Sequence, residues 1–254
     1  MSSVRVVQRN SLVFWRAWRS SIFLSVLGPV LFLTAMGFGL GSMVESDAGA
    51  FKGVEYLPFF ATGMLTANAM QTGVFSATYP LLNKIIWQRN YEAMLATPLS
   101  VPDLFYGELS WIGISLAQQT IPFFAVMSLF GIFDSPVALL AVPVAILTGL
   151  GCAAATSALT ATMERDEAYT WVFRFVVTPL FLLSGTFFPL DSLPTWVVVI
   201  AQLTPLYHGI ELVRQLTIFD FAPLSAGWHL LYLVSFLVLA SRIALRNFER
   251  RLVV

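Results

Sequence analysis

Lysine, cysteine and histidine, the side chains that most often grip phosphate, attack carbonyl carbon or hold a metal, occur at only five positions: Lys52, Lys84, Cys152, His208 and His229. Neither lysine stands in a GxxxxGK[ST] loop, whose backbone amides and lysine would cradle nucleotide phosphates, so no nucleotide hydrolysis by this chain is expected. His208 and His229 lie far apart in sequence without zinc-ligand spacing, and a single cysteine supports neither an intrachain disulfide nor a thiolate cluster. The chain itself is therefore expected to bind no metal and no cofactor. Carboxylates offer little more. Asp191, Glu211 and Asp220 could supply the acid and base of a lipid-modifying enzyme, but they read as hairpin and loop residues. Glu108, near the start of an apolar run, is the one carboxylate placed for a shallow ion-coupling site of the kind a secondary multidrug carrier needs.

Composition accounts for this scarcity. Hydrophobic residues make up 57% of the 254 positions and charged residues 11%, with a mean hydropathy of +0.79. A soluble chain of this length could not cover so much apolar surface, so the expected class is an all-α integral membrane protein. Formal charge is balanced at 14 basic against 14 acidic residues, which leaves no global field to attract nucleic acid. No internal repeat, low-complexity tract or linker divides the chain, and residues 1–254 are expected to form a single transmembrane domain.

A bilayer core of about 30 Å needs roughly 20 apolar residues in a helix. Six runs qualify, near Ile22–Leu40, Leu57–Tyr79, Leu104–Phe130, Val137–Met163, Trp171–Phe188 and Leu224–Ser241. Glu108 favours a later start for the third. Gly149, Gly151, Ala155 and Ser157 in the fourth are small enough for close helix packing in lipid. The first run is too long for a secretory signal, and Glu45 and Asp47 separate it from the small residues at 48–50, so it is expected to remain. Lysine and arginine collect on the cytoplasmic side. With six crossings and the amino terminus inside, twelve of the fourteen lie there, and only Lys52 and Arg214 fall outside. The prediction is a multi-pass protein of the cell (plasma or inner) membrane with both termini cytoplasmic.

Three segments between or before the spans have patterns of their own. At the amino terminus Arg5, Arg9, Arg16 and Arg19 share one side of a helical wheel, while Val4, Val7, Phe14, Trp15, Trp18 and Ile22 share another; Leu12 is the exception. Such a helix lies in the inner interface. The first inner loop, "NKIIWQRNYEAMLATPLSVPD" at 83–103, reads as a short helix ended near Pro98, with Leu82, Ile86, Trp87, Ala93 and Met94 on one face. The acidic "ERDEAY" at 164–169 reads as a solvated turn. On the outer side, "SGTFFPLDSLPTWVVVIAQLTPLYHG" is mostly apolar yet broken by prolines at 189, 194 and 205. Its longest uninterrupted segment would extend only about 15 Å as helix, half a bilayer, and a seventh crossing would place the arginines of the carboxyl terminus outside. It is expected to be a hairpin that dips in from outside or lies flat at the interface.

The stretch "PLFLLSGTFFPLDSLPTWVVVIAQLTPLYHGIELVR" at 179–214 resembles the carboxyl-half signature of the type 2 ABC exporter permeases (ABC-2). Nodulation-type lipo-oligosaccharide exporters are the most similar, and daunorubicin-resistance-type efflux permeases come a step further away. "RNYEAMLATPLS" at 89–100 resembles the family's coupling-helix region, so the likeness extends over nearly the whole chain. The resemblance implies six transmembrane helices, an amphipathic amino-terminal interfacial helix (Arg5, Arg9, Trp15, Arg16, Trp18, Arg19), a cytoplasmic coupling helix and a re-entrant outer hairpin between spans five and six. It implies as partners two copies of an ABC ATPase subunit, which bind the ATP and Mg, and a second permease chain, identical or not. Arg89, Tyr91, Glu92, Leu95 and Pro98 would pass closure of the ATPase to the spans, and Gly185, Phe188, Pro189, Pro194, Trp196 and Pro205 would form the outer gate. The implied cargo is amphipathic: a glycolipid, a lipo-oligosaccharide or a hydrophobic drug.

Overall fold

The computed structural model describes residues 2–15, 18–36, 39, 54–133, 135–190 and 193–252; among these there are helices and turns but no strand. Helix α1 (Ser2–Phe14) precedes α2 (Trp18–Ala35). Helix α3 (Tyr56–Ser76) leads into the single turn α4 (Tyr79–Leu82), a π-helical turn at Asn83–Trp87, and α5 (Asn90–Leu95). Two long elements follow, α6 (Val101–Leu129) and, after a 3₁₀ turn at Pro136–Leu140, α7 (Ala141–Thr160). Then come α8 (Glu167–Val172), a second π-helical turn at Phe173–Val177, and α9 (Thr178–Leu183). A bent pair, α10 (Thr195–Gln202) and α11 (Pro205–Thr217), precedes the closing helix α12 (Pro223–Leu252).

Each expected apolar run falls on helix, with informative differences at the ends. Helix α6 starts early rather than late. The Ser100 hydroxyl accepts the Asp103 N–H while the Asp103 carboxylate accepts the Ser100 N–H, and this reciprocal cap fixes the start at Val101 with Glu108 inside the helix. Helix α12 continues past Ser241 because Ala244 and Phe248, one turn apart, are buried against Tyr91 and Phe105. The end of the first run, with Lys52, Glu45 and Asp47, lies outside the described residues. By length and composition Val101–Leu129, Pro136–Thr160 and Pro223–Leu252 can each cross a bilayer, and α10 with α11, bent by 86°, would be a fourth only as a broken span.

Helix α7 is the centre, in contact with α3, α6, α11 and α12. Lipid gives helices no hydrophobic reason to associate, so dispersion contacts between closely approaching backbones must hold them. The sequence supplies the means: a Cβ on Gly73 of α3 would lie 2.3 Å from the Gly149 carbonyl oxygen of α7, and one on Gly149 would lie 2.7 Å from that of Ala69. Gly149 thus does what its type predicted. The hydroxyls of Thr148 and Thr156 donate to carbonyls one turn back in the same helix, so these two buried groups do not need outside partners. The prediction is that Gly73→Ala lowers the thermal midpoint of the purified protein by several degrees, as overpacking of about 1–3 kcal/mol requires. Gly227→Ala, where an added Cβ meets nothing within 4 Å, should leave it nearly unchanged.

Candidate functional site: a basic end and a broken hairpin

At one end of the bundle α1 lies along the start of α6. Val6 is fully buried and seated on Gly107, Phe14 packs edge-on against Trp111 at 6.0 Å, and the Ser3 hydroxyl donates to Asp103 at 3.1 Å. Asn10, also buried, donates to Glu108 Oε2 at 3.1 Å, and Lys84 from the π-helical turn pairs with the same oxygen at 2.6 Å. The face that docks is therefore Ser3, Val6, Asn10 and Phe14. Val4 and Trp15 of the predicted apolar face are exposed instead, Trp15 against Trp18 at 5.9 Å with Arg19 over the Trp18 ring. Arg5 is exposed and Arg9 half-buried; Arg16 lies outside the described residues. Lys84 neutralises Glu108, which removes it as the carboxylate of an ion-coupled carrier.

Helix α5 hangs beside this pair. Arg89, its preceding residue, has φ of +46°, a left-handed conformation that ends the π-helical turn and redirects the chain. One continuous amphipathic helix over 82–97 is therefore not what forms: Leu82 is buried, while Trp87 and Ala93 are exposed. Tyr91 is fully buried beside Phe248 at 6.4 Å, and its hydroxyl faces Glu108. Burial first, then the Glu108 carboxylate, push the phenol well above its ordinary pKa, so it stays protonated. Leu95 is half-buried on the same cluster, whereas Glu92 and Pro98 are exposed. The helix thus has one side wedged among the spans and the other open. The second loop is more than a solvated turn: Tyr169 is fully buried and donates to Thr160, whose hydroxyl donates to the Ala77 carbonyl at 2.6 Å. Arg251 closes the end by donating to the Thr160 and Ala161 carbonyls that α7 leaves open.

At the opposite end the chain breaks after α9. Gly185 has φ of +84°, the Ser184 and Thr186 hydroxyls bond each other at 3.1 Å, and the Thr186 backbone lies on Gly63 of α3. Arg214 of α11, 2% exposed, donates one nitrogen to the Gly185 carbonyl at 2.7 Å and the Phe59 carbonyl at 3.2 Å, and its guanidinium lies 3.6 Å from the Phe59 ring centroid. Glu211 is 3.6 Å away. The hairpin tip is matched in the same way: His208 donates Nε2–H to the Gln202 carbonyl at 2.9 Å and Tyr232 donates to the Leu203 carbonyl at 2.6 Å. That bond leaves His208 Nδ1 to accept from His229 Nδ1–H, 2.7 Å away.

The proline reading of this stretch holds locally: α10 begins after Pro194 and α11 begins at Pro205. The arm packed into the bundle, however, is α11 and not the segment 196–203. On α10 only Val197 and Ala201 are buried, Trp196 is 67% exposed, and Phe188 and Pro194 are exposed too. Pro189 and Pro205 are half-buried. Asp191 lies outside the described residues, and Asp220 is exposed. Sequence reasoning missed Arg214, Gly63 and the histidine pair. The available signal was a solitary arginine at an end otherwise almost free of basic residues, inside the "GIELVR" of the signature.

Long apolar helices packed through small residues, with a broken and internally hydrogen-bonded hairpin at one end, define a polytopic integral membrane protein. The chain belongs to the ABC-2 type transporter family, whose description matches residues 4–218. It is 34% identical over 213 residues to Nodulation protein J of Rhizobium leguminosarum bv. viciae, covering 81% of each chain. It is 30% identical over 251 residues to Nodulation protein J of Sinorhizobium fredii, covering 96% of this chain and 94% of that protein. Similarity to the Inner membrane transport permease YadH of Escherichia coli is 24% over 211 residues, covering 78% and 75%. The chain is a membrane transport permease rather than a catalyst.

Arg214→Met should destabilise the protein by about 1–3 kcal/mol, because the Gly185 carbonyl loses its buried donor, whereas the Phe59 carbonyl keeps the Thr62 hydroxyl. Arg214→Lys, which keeps the charge but loses the planar fork, should fall between. Thermal unfolding in detergent reads both, with exposed Arg246→Met as an unchanged control.

Proposed function

We propose that the chain is the membrane subunit of an ATP-driven exporter that moves an amphipathic molecule, a glycolipid, lipo-oligosaccharide or hydrophobic drug, out of the cytoplasm or inner leaflet. The observation that carries this reading is α5, which presents Glu92 outward, with Pro98 exposed just beyond its end, while Tyr91 on the same short helix is wedged against Phe248 and faces Glu108. A push on its open side reaches α1, α6 and α12 together. That is the mechanical need of a permease whose ATP and Mg are bound elsewhere, in two copies of a separate ABC ATPase subunit. The family normally works with such a partner, and a second permease chain, identical or different, completes the proposed transporter.

On this reading the basic end is cytoplasmic, with both termini, and the chain crosses the inner membrane six times as a single domain. Arg5, Arg9, Arg19 and the arginines of α12 gather there as the positive-inside tendency asks. The printed names of relatives, a nodulation protein and an inner membrane transport permease, support a transport role at that membrane. The hairpin α10–α11 enters from outside without crossing, since α10 extends only about 12 Å and α11 about 20 Å. Gly185, Phe188, Pro189, Pro194, Trp196 and Pro205 shape this gate.

In a Cys152→Ala background, Asp220→Cys should react with an impermeant thiol reagent in intact cells, and Glu249→Cys only after permeabilisation. External labelling at 249 would overturn the topology. Met94→Pro, a helix-interior proline costing about 3 kcal/mol, should leave the protein inserted while ATP-dependent export falls more than about tenfold. Wild-type export by that variant would remove α5 from the mechanism.

A further inference from the structure

The two histidines of the chain, His208 of α11 and His229 of α12, face each other at the hairpin end of the bundle. Their Nδ1 atoms are 2.7 Å apart, their ring centroids 5.0 Å, and both side chains are buried. The pair does more than join two helices. His208 also donates Nε2–H to the Gln202 carbonyl at the end of α10, and its ring stacks at 3.8 Å on Tyr232, whose hydroxyl donates to the Leu203 carbonyl. Both arms of the hairpin and the closing helix therefore meet at two imidazoles.

Four ring nitrogens set how many protons this contact tolerates. In the neutral pair His208 keeps its proton on Nε2, for Gln202, and His229 keeps its proton on Nδ1, for His208. A third proton can sit on His229 Nε2 and leave the shared bond intact. A fourth has only His208 Nδ1 to go to, where it meets the His229 Nδ1–H head-on: two imidazoliums at hydrogen-bond distance with no lone pair between them.

The surroundings do little to offset that second charge. On α11, Glu211 acts on His229, but its carboxylate already stands 3.6 Å from Arg214. The phenols of Tyr207, edge-on to both rings at 5.2 and 6.0 Å, and of Tyr232 are neutral partners. Helix α7 offers only the buried thiol of Cys152, and α10 has no titratable side chain. Tyr56 of α3 stacks on Phe60, and Asp103 and Glu108 of α6 lie at the opposite, basic end. One shared carboxylate thus faces what would be two buried cations.

We infer that the histidine pair is a proton-operated latch, which holds the α10–α11 hairpin on α12 while it carries at most one added proton and releases it when a second binds. Its gating role rests on the reading of this hairpin as the outer gate, which makes the medium outside the cell the source of the protons and acid the condition that frees the gate.

The test uses the full-length permease in nanodiscs, in a Cys152→Ala background, with spin labels attached at Val199→Cys of α10 and Leu239→Cys of α12, both exposed positions. Lowering the pH from about 7.5 to about 4.5, to either side of the ordinary histidine range, should add a second, longer distance population that disappears when the pH is restored. In His229→Asn the amide takes the place of Nδ1 and can donate or accept, so the bond survives without the second charge and the single short distance should remain at both pH values. Carboxylates, Glu211 among them, begin to titrate at the same acid end and are retained in this variant. A lengthening shared by wild type and His229→Asn therefore belongs to them and overturns the inference. So does a wild-type distance that is the same at both pH values, however any variant folds. Loss of the short distance on adding EDTA at the higher pH overturns it too, since a metal and not a proton would then join the rings. Failure of the separate topology and export experiments would leave the distance result standing and remove only the assignment of the latch to an outer gate.

Discussion

Backbone amides and carbonyls inside a membrane have no water to fall back on, and a helix that stops at that depth must find partners in the protein. On the re-entrant reading proposed above, residues 184–190 and 193–204 make such a stop, and their organisation meets that demand. Gly185 supplies the turn, but its carbonyl is then an orphan, and Arg214 is the donor that meets it. One guanidinium also serves Phe59 and lies on its ring, so α3, the break after α9 and α11 are tied at one point. A charge buried this deeply is tolerable because Glu211 stands one turn away and because arginine is less strongly hydrated than lysine. His208 and Tyr232 do the same for the Gln202 and Leu203 carbonyls. The hairpin is held by side chains matched to its unpaired backbone, which lets its two arms meet at 86°.

The basic end solves a different problem, that of holding a short helix and an interfacial one against the bundle. A buried ion pair contributes little net stability, yet loss of one partner strands the other. Lys84 and Glu108 come from the π-helical turn and from α6, and Asn10 of α1 shares the same carboxylate oxygen, so three segments have a common reference point. Its role is one of position more than strength. Under the export reading, the commitment of one Glu108 oxygen to Lys84 suits a permease driven by a partner rather than by a coupled ion.

The apolar helices could be read from the sequence because apolar length is a one-dimensional property, and so could the break, because Gly185, Pro194 and Pro205 act on their own backbone. What could not be read depended on contacts distant in sequence. The docking side of α1 could not be read, because only Glu108, 98 positions away, makes Asn10 a buried residue. The inner loop was given a continuous amphipathic face because nothing local announces that Arg89 will take a left-handed φ. Gly63 appears to any sequence reading as one small residue among many until the Thr186 backbone is laid against it. Arg214 was counted as an outer charge, a count that is silent about its burial.

Helix α12 joins the two ends. Its 30 residues extend about 45 Å, with His229 in contact with the hairpin at one end and Phe248 and Arg251 at the other. Tyr91 of α5 presses on Phe248, and His229 bonds His208 of α11. Under the export reading, a displacement imposed on α5 would therefore be carried along a continuous rod to the helix that closes the outer side. The close packing of α12 on α7 guides that motion, since Gly151 leaves room for Phe236 and lets the two helices slide or tilt only as bodies. Coupling over such a distance needs no diffuse rearrangement: one rigid helix, gripped at the base by an aromatic contact and at the far end by a histidine pair, is a sufficient link.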